Sequence, residues 1–320
     1  MENEKIDFIL PNDSDIYVDN IVGRSKALIN TGIWDGLEIV DLEIWLNNFK
    51  TKEEKYFSAC VLDSLIYRSD KQMKSMMLQI LERNLVDLTR IHPPQDNSNK
   101  NWYEALMNPD VDPKIRVVPV LIPGSPTKSG APIARMYKKD LLISENWIIE
   151  PGHINLAKDQ GVNCFIFIDD FMGTGVQFGT DFIMEPEYNR VNCKEEHKLS
   201  SIIRNDYVVY APLVAHSEGI KAIKEEYSQI HIIAADILEE SHDFFSEDAV
   251  NSGKFGGNSV AVAKKFYYDL LKKNNLASNK DNRRGYGSLG LTYFFQSAMP
   301  DNCLPILWKK THNWHPLQSR

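Results

Sequence analysis

The run Phe165-Ile166-Phe167-Ile168-Asp169-Asp170-Phe171-Met172-Gly173-Thr174-Gly175 limits the fold of this chain more than any other stretch. Large apolar residues in succession, closed by turn-forming residues, predict a strand buried on both faces, as in a parallel sheet covered by helices. Ligands of such sheets gather beyond the carboxyl ends of the strands. This strand ends in two carboxylates, a hydroxyl and two glycines, so its polar chemistry falls where an open α/β sheet offers a binding site.

The flanking sequence has the matching rhythm. A strand is predicted over Val117 to Ile122, then the loop Pro123-Gly-Ser-Pro-Thr-Lys-Ser-Gly130 and a helix from Ala131 to about Lys139. Beyond the 165–168 strand, Tyr207 to Leu213 and His231 to Ile237 read as strands joined by a helix from about Ala215 to Tyr227. This order suits right-handed crossovers and a parallel sheet. The polar stretch from Glu185 to Asn205 reads either as a closing lid or as an insertion without a role.

Residues 1 to about 110 read as mainly helical. Thr51-Lys-Glu-Glu54 is a capping-box pattern, and apolar residues follow at helical spacing through Tyr56, Cys60, Leu62 and Leu65. A second amphipathic run passes through Met73, Met77, Leu81, Leu85 and Leu88, with its methionines assigned to packing. Near the other end, a helix is predicted from Ser259 to about Asn274, with Val262, Phe266 and Leu270 on one face. Three segments are therefore expected: 1–110 as a helical extension, 111–245 as the α/β core, and 246–320 as a C-terminal helix and cap packed on that core.

With 320 residues, 43% of them hydrophobic, the chain can bury a sizeable core. Its apolar stretches fall short of the ~20 residues of a membrane-spanning helix, and its first residues lack the basic start and apolar core of a signal peptide. The expected location is the cytoplasm, without a membrane partner. Cys60, Cys164, Cys193 and Cys303 are too scattered for a disulfide framework or a paired-cysteine zinc site. The formal charge of −8 argues against a whole-surface grip on nucleic acid. Lys264-Lys265 and Lys272-Lys273 read better as a solvated helix face than as a local basic patch. No two histidines, and no histidine and cysteine, stand at metal-ligand spacing, and His216-Ser217-Glu218 does not establish a serine triad.

The chemistry of the 165–175 run suits a phosphorylated sugar. Backbone N–H groups of Gly173, Thr174, Gly175 and Val176, at the start of a short helix, suit a phosphate, and the glycines permit close approach. Asp169 and Asp170 can accept hydrogen bonds from neighbouring ribose hydroxyls. The same residues also fit a plain strand end with an Asp-Asp cap and a Gly-Thr-Gly turn. By the amide argument, Lys128, Ser129 and Gly130 form a second candidate anion site, with a surface connection as the bland alternative.

The run resembles the phosphoribosyl-pyrophosphate loop of type I phosphoribosyltransferases: hydrophobics, two acids, two variable residues, then a small residue, Thr and Gly. The resemblance implies a type I phosphoribosyltransferase-like parallel sheet flanked by helices, with an N-terminal helical extension and a C-terminal cap. It implies that Asp169 and Asp170 bind the ribose hydroxyls and that Gly173, Thr174, Gly175, Val176 and Gln177 cradle the 5-phosphate. Lys128, Ser129 and Gly130 then correspond to the pyrophosphate loop, and Mg²⁺ accompanies the pyrophosphate, meeting Asp169 and Asp170 only through the ligand. Two departures matter. Many relatives carry an acid at the position of Gly173, and most carry Thr or Ser at that of Gln177, so no catalytic residue is assigned.

Phe244 or Phe245, in Ser241-His-Asp-Phe-Phe245, lies where type I enzymes place the hood for the acceptor and is a candidate stacking platform, with core packing as the alternative. Arg283 and Arg284, beside Gly285 and Gly287, are candidate phosphate contacts, with a surface turn as the alternative. The N-terminal helices and the tail, with Leu304-Pro-Ile-Leu-Trp308 and Trp314-His-Pro-Leu317, are similar to phosphoribosyltransferase-like effectors of bacterial conflict systems, including those accompanying retrons. That similarity implies a toxin acting on nucleotides in antiphage defence. The implied partners are phosphoribosyl pyrophosphate or a nucleotide, and a reverse transcriptase with its nucleic acid; a homo-oligomer is compatible with the sequence. The rival readings are a module that senses phosphoribosyl pyrophosphate or a nucleotide without turnover, and a purely structural member of a complex.

Overall fold

The structure, a computed structural model, describes residues 8–84, 102–121, 130–184, 199–202, 204–248, 253–276 and 282–318. Its strands are β1 (Ile66–Arg68), β2 (Ile115–Pro119), β3 (Cys164–Met172), β4 (Tyr207–His216), β5 (His231–Ile232), β6 (Asp236–Leu238) and β7 (Tyr293–Phe295). The chain divides into two compact units, Gln72–Leu238 and Met1–Lys71 with Glu239–Arg320.

In the unit Gln72–Leu238 the apolar run forms an internal strand of the sheet. β3 is hydrogen-bonded in parallel to β2 on one side and to β4 on the other, with Ile166 opposite both Val117 and Val209. Phe165, Ile166, Phe167 and Ile168 are fully buried, and each such side chain contributes ~1.5–3 kcal/mol by leaving water. β5 and β6 both pair in parallel with β4. Between them, the Ile233 amide donates to the Tyr210 carbonyl at 2.9 Å and the Ala235 amide to the Leu213 carbonyl at 3.1 Å, so 231–238 is one interrupted edge strand.

Helices flank this parallel sheet. The helix Gly130–Asp140 follows β2 and buries Ile133 and Tyr137. The helix Ser217–Glu226 follows β4 and buries Ile223. Ile223, Tyr227, Phe178 and Phe182 join Phe165, Phe167, Val208 and Tyr210 in one apolar cluster. The α/β parallel architecture expected from the 165–168 run is the one observed.

The other unit joins the two ends of the chain. Its main helices are Ser14–Asn30, Ile39–Leu46, Lys52–Asp63 and Val260–Lys273. The capping box at Thr51 forms: Thr51 Oγ1 accepts from the Glu54 amide at 3.2 Å and Glu54 Oε2 accepts from the Thr51 amide at 3.3 Å. β1 pairs in parallel with β7, Ile66 opposite Tyr293, and the Trp45 indole donates to the Ile306 carbonyl at 2.8 Å. The first helices and the C-terminal segment thus share one compact unit.

Met73 and Met77 are buried, as the packing assignment requires. Cys60, Cys164 and Cys303 are buried and form no disulfide among the described residues; Cys193 lies outside the described residues. Among the described residues, no helix is long and apolar enough to cross a membrane.

Candidate functional site

β3 carries Asp169 and Asp170 at its carboxyl end, and the turn of Gly173, Thr174 and Gly175 follows directly. Side chains alternate along a strand, and the two acids differ accordingly. Asp169 is fully buried. The Tyr210 hydroxyl donates to its Oδ2 at 3.2 Å, and the Asp170 amide donates to its Oδ1 at 3.0 Å. Asp170 is partly exposed. Of the two expected ribose acceptors, Asp170 is thus the more exposed, while Asp169 is directed into the protein.

Tyr210 is fixed by its ring, which stacks on Phe178 with centroids 3.7 Å apart and planes 4° from parallel. Burial, and then the charge of Asp169, holds its phenol pKa well above the ordinary value. The hydroxyl therefore remains a proton donor to Asp169 throughout the neutral range.

The turn is shaped by glycine contacts. Gly175 has φ +81°, a conformation that costs glycine little and other residues more. The first turn of the helix Ser217–Glu226 packs directly against it. A Cβ at Gly219 would lie 2.3 Å from the Gly173 carbonyl oxygen and 3.0 Å from the Gly175 nitrogen. Backbone thus rests on backbone, and the turn is supported from behind. His216 starts that helix: its buried ring accepts from the Glu218 amide through Nδ1 at 3.2 Å.

Among the described residues, the amide N–H groups of Thr174 and Gly175 and the Thr174 hydroxyl donate to no acceptor. Thr174 is half-buried, so its amide and hydroxyl are donors suited to an anion, whereas Gly175 is buried against Gly219. Val176 is partly exposed, and Gln177 opens the π-helical segment Gln177–Phe182. Asp169, Asp170, Gly173, Thr174, Gly175, Val176 and Gln177 therefore form one contiguous constellation. Gly130 begins the helix Gly130–Asp140, whereas Lys128 and Ser129 lie outside the described residues.

The remaining candidates belong to the other unit. Phe244 and Phe245 are 1% and 2% exposed. Their rings pack on Phe57, Phe255 and each other, with Phe245 also on Tyr267. Lys254 and Lys264 lie over the rings of Phe244 and Phe245 at 5.1 and 5.9 Å. A stacking platform needs an open ring face, and these rings are core. Arg283 lies over the Tyr268 ring at 5.1 Å. Arg284 pairs through Nη1 with Asp243 Oδ2, and Asp243 Oδ1 accepts from the Phe245 amide at 3.0 Å. Burial raises the Asp243 pKa, with the Arg284 charge opposing that shift. The Arg284 charge is thus already engaged in holding the 243–245 segment.

The sequence model of the PRTase-CE family matches residues 42–320. The chain belongs to the PRTase-CE family. This places it in a phosphoribosyltransferase-like class, in agreement with the parallel sheet and the β3 loop. The PRTase-CE match runs through both compact units, so the C-terminal segment is part of what defines the family. No curated protein and no solved structure matches the chain.

Tyr210 and Gly219 escaped sequence reasoning. No local pattern marks Tyr210, because its partner is 41 positions away. Gly219 left a weaker signal: glycine within a helix costs ~1 kcal/mol relative to alanine, which suggests a packing reason for its presence.

Proposed function

We propose that this chain binds a ribose 5-phosphate unit, as phosphoribosyl pyrophosphate or a nucleotide, at the carboxyl end of β3 and acts at its anomeric carbon. The observation that carries this reading is the half-buried Thr174, whose amide and hydroxyl have no acceptor among the described residues, in the glycine turn that follows the partly exposed Asp170. The Gly173–Gln177 turn takes the 5-phosphate. Asp170 accepts from the ribose diol, and Asp169, held by Tyr210, fixes the strand end beneath it. Lys128, Ser129 and Gly130 are assigned to the pyrophosphate by their place after β2.

Mg²⁺ would arrive with the diphosphate, since it binds largely through substrate phosphates. The ion, meeting Asp169 and Asp170 only through the ligand, would neutralise charge on the leaving pyrophosphate. In the transfer, the C1–O bond to pyrophosphate breaks, its electron pair leaving with the pyrophosphate, and an acceptor nucleophile bonds to C1 and releases its proton to solvent. A nucleobase, a nucleotide-derived amine, water or a macromolecule can fill that role, giving a glycosyltransferase or a related glycosidic-bond hydrolase.

The similarity of the flanks to conflict-system effectors supports a toxin in antiphage defence that consumes or modifies nucleotides, within a complex containing a reverse transcriptase and its nucleic acid. A second reading, a nucleotide or phosphoribosyl-pyrophosphate sensor, is favoured by Gly173, which supplies no base where many related enzymes carry an acid. Calorimetric titration of phosphoribosyl pyrophosphate with Mg²⁺ tests the site. Saturable binding to the wild type, lost in Asp170→Ala, is expected; folded wild-type protein that binds nothing would overturn the reading. Mass spectrometry then separates enzyme from sensor by ligand consumption. In cells, Asp169→Ala with Asp170→Ala should abolish toxicity, and undiminished toxicity would sink the effector role.

A further inference from the structure

The unit formed by the chain ends contains a cleft of about 550 Å³. None of its lining residues belongs to the unit that carries β3. Its charged and titratable lining consists of Lys50, Lys273, His312 and His315, and no carboxylate lines it. In a chain with 44 acidic residues and 36 Lys and Arg, the ionisable side chains of this lining are all basic, with Glu54 bound to Lys273 Nζ and to the Lys50 amide. Ile44, 40% exposed, adds an apolar wall.

The cleft is built from three segments distant in sequence and firmly joined. Asn48 Nδ2 donates to the His315 carbonyl at 2.8 Å, while the His315 amide donates to Asn48 Oδ1 at 3.1 Å. Trp45 and Trp314 both donate to the Ile306 carbonyl, at 2.8 and 2.9 Å. Thr311 Oγ1 donates to the Asn274 carbonyl at 3.3 Å. The lining is therefore positioned before any ligand arrives, which lowers the cost of binding.

Its basic side chains are unequal. Lys273 is paired with Glu54 at 2.7 Å. Lys50 Nζ donates to the Asn47 carbonyl at 2.5 Å but makes no ion pair among the described residues. The exposed rings of His312 and His315 likewise have no side-chain partner there. A lysine ammonium is a point-charge partner for phosphate, and imidazole adds N–H donors. The volume lies in the range of small-molecule sites, ~300–1,000 Å³, with room beyond one phosphate for a sugar or base.

We propose that this cleft binds the phosphate of a nucleotide or of a nucleic-acid strand, independently of the β3 loop. The test uses the full chain, with ATP by calorimetry and a fluorescein-labelled short single-stranded oligonucleotide by anisotropy, each at low and moderate salt. The wild type is expected to bind at least one probe in a salt-sensitive manner. Lys50→Glu with His312→Ala should weaken that binding at least about tenfold, ~1.4 kcal/mol, while Asp170→Asn leaves it unchanged. These cleft side chains are exposed, and circular dichroism checks that the variants fold. Binding of ATP alone would assign the cleft to nucleotides; oligonucleotide binding with a steep salt dependence would assign it to a strand. Failure of folded wild type to bind either probe would overturn the proposal, as would binding removed by Asp170→Asn but untouched by Lys50→Glu with His312→Ala.

Discussion

A single methyl group decides whether the β3 turn can keep its place. At Gly219 an added Cβ would meet the Gly173 carbonyl oxygen at 2.3 Å and the Gly175 nitrogen at 3.0 Å, both backbone atoms. They cannot swing aside as the end of a side chain can. Gly219→Ala should therefore displace the turn, weaken phosphoribosyl-pyrophosphate binding about tenfold and cost ~1–3 kcal/mol of stability through overpacking. Calorimetry and urea denaturation measure the two effects; wild-type values in both would mean that the turn does not depend on this contact. Tyr210→Phe tests the support of Asp169. Removing the hydroxyl leaves a buried acceptor short of a donor and should cost ~1–3 kcal/mol. The pH sign follows from the raised phenol pKa. Unfolded tyrosine releases its proton near ~10 while the folded phenol retains it, so this contribution is present below pH ~10 and declines as pH rises above it. Tyr210→Phe should flatten that alkaline decline in urea midpoints.

Elements whose ends carry specific side-chain chemistry were readable. Thr51-Lys-Glu-Glu54 announced its capping box, and Ser259 caps the helix Val260–Lys273 by accepting from the Val262 amide at 3.4 Å. The helix Ser14–Asn30 escaped because it carries no side-chain cap, contains Gly23 and buries only Ile21 and Ser25. β1 and β7, three residues each, gain meaning only from their mutual pairing across more than two hundred positions. At the Thr51 cap, burial raises the Glu54 pKa, but Lys273 and the amides of Lys50 and Thr51 outweigh it and hold the carboxyl below its ordinary value. Its stabilisation is therefore present above ~4.3, the unfolded value, and is lost as pH falls through the lower folded value. Glu54→Gln should reduce stability at neutral pH and lessen the acid-induced loss. Thr51→Ala should cost ~1 kcal/mol at either pH. Urea melts at pH 7 and in the acid range separate the two variants.

At the scale of the whole chain, the β3 loop could be read because its residues are consecutive, whereas the division into units could not, because its contacts join opposite ends of the sequence. The 246–320 segment resembles an appendage only when the chain is viewed linearly. In three dimensions β7 supplies the partner of β1, Ile306 accepts from Trp45, and Tyr267 packs on Phe57 and Phe245. A chain ending at residue 245 would lose all of these while retaining Phe57, Phe244 and Phe245, which the full chain buries. Burial of aromatic side chains dominates small cores, so the exposed remainder should bind hydrophobic dye and lose a cooperative transition for its N-terminal helices. The comparison is between full-length protein and a 1–245 truncation, using dye fluorescence and thermal melting. Equal dye binding and an unchanged, sharp melt would identify 246–320 as a dispensable cap. Dye binding with a broadened melt would establish that the unit completed by the C-terminal segment cannot form without it, in keeping with a family match that extends to residue 320.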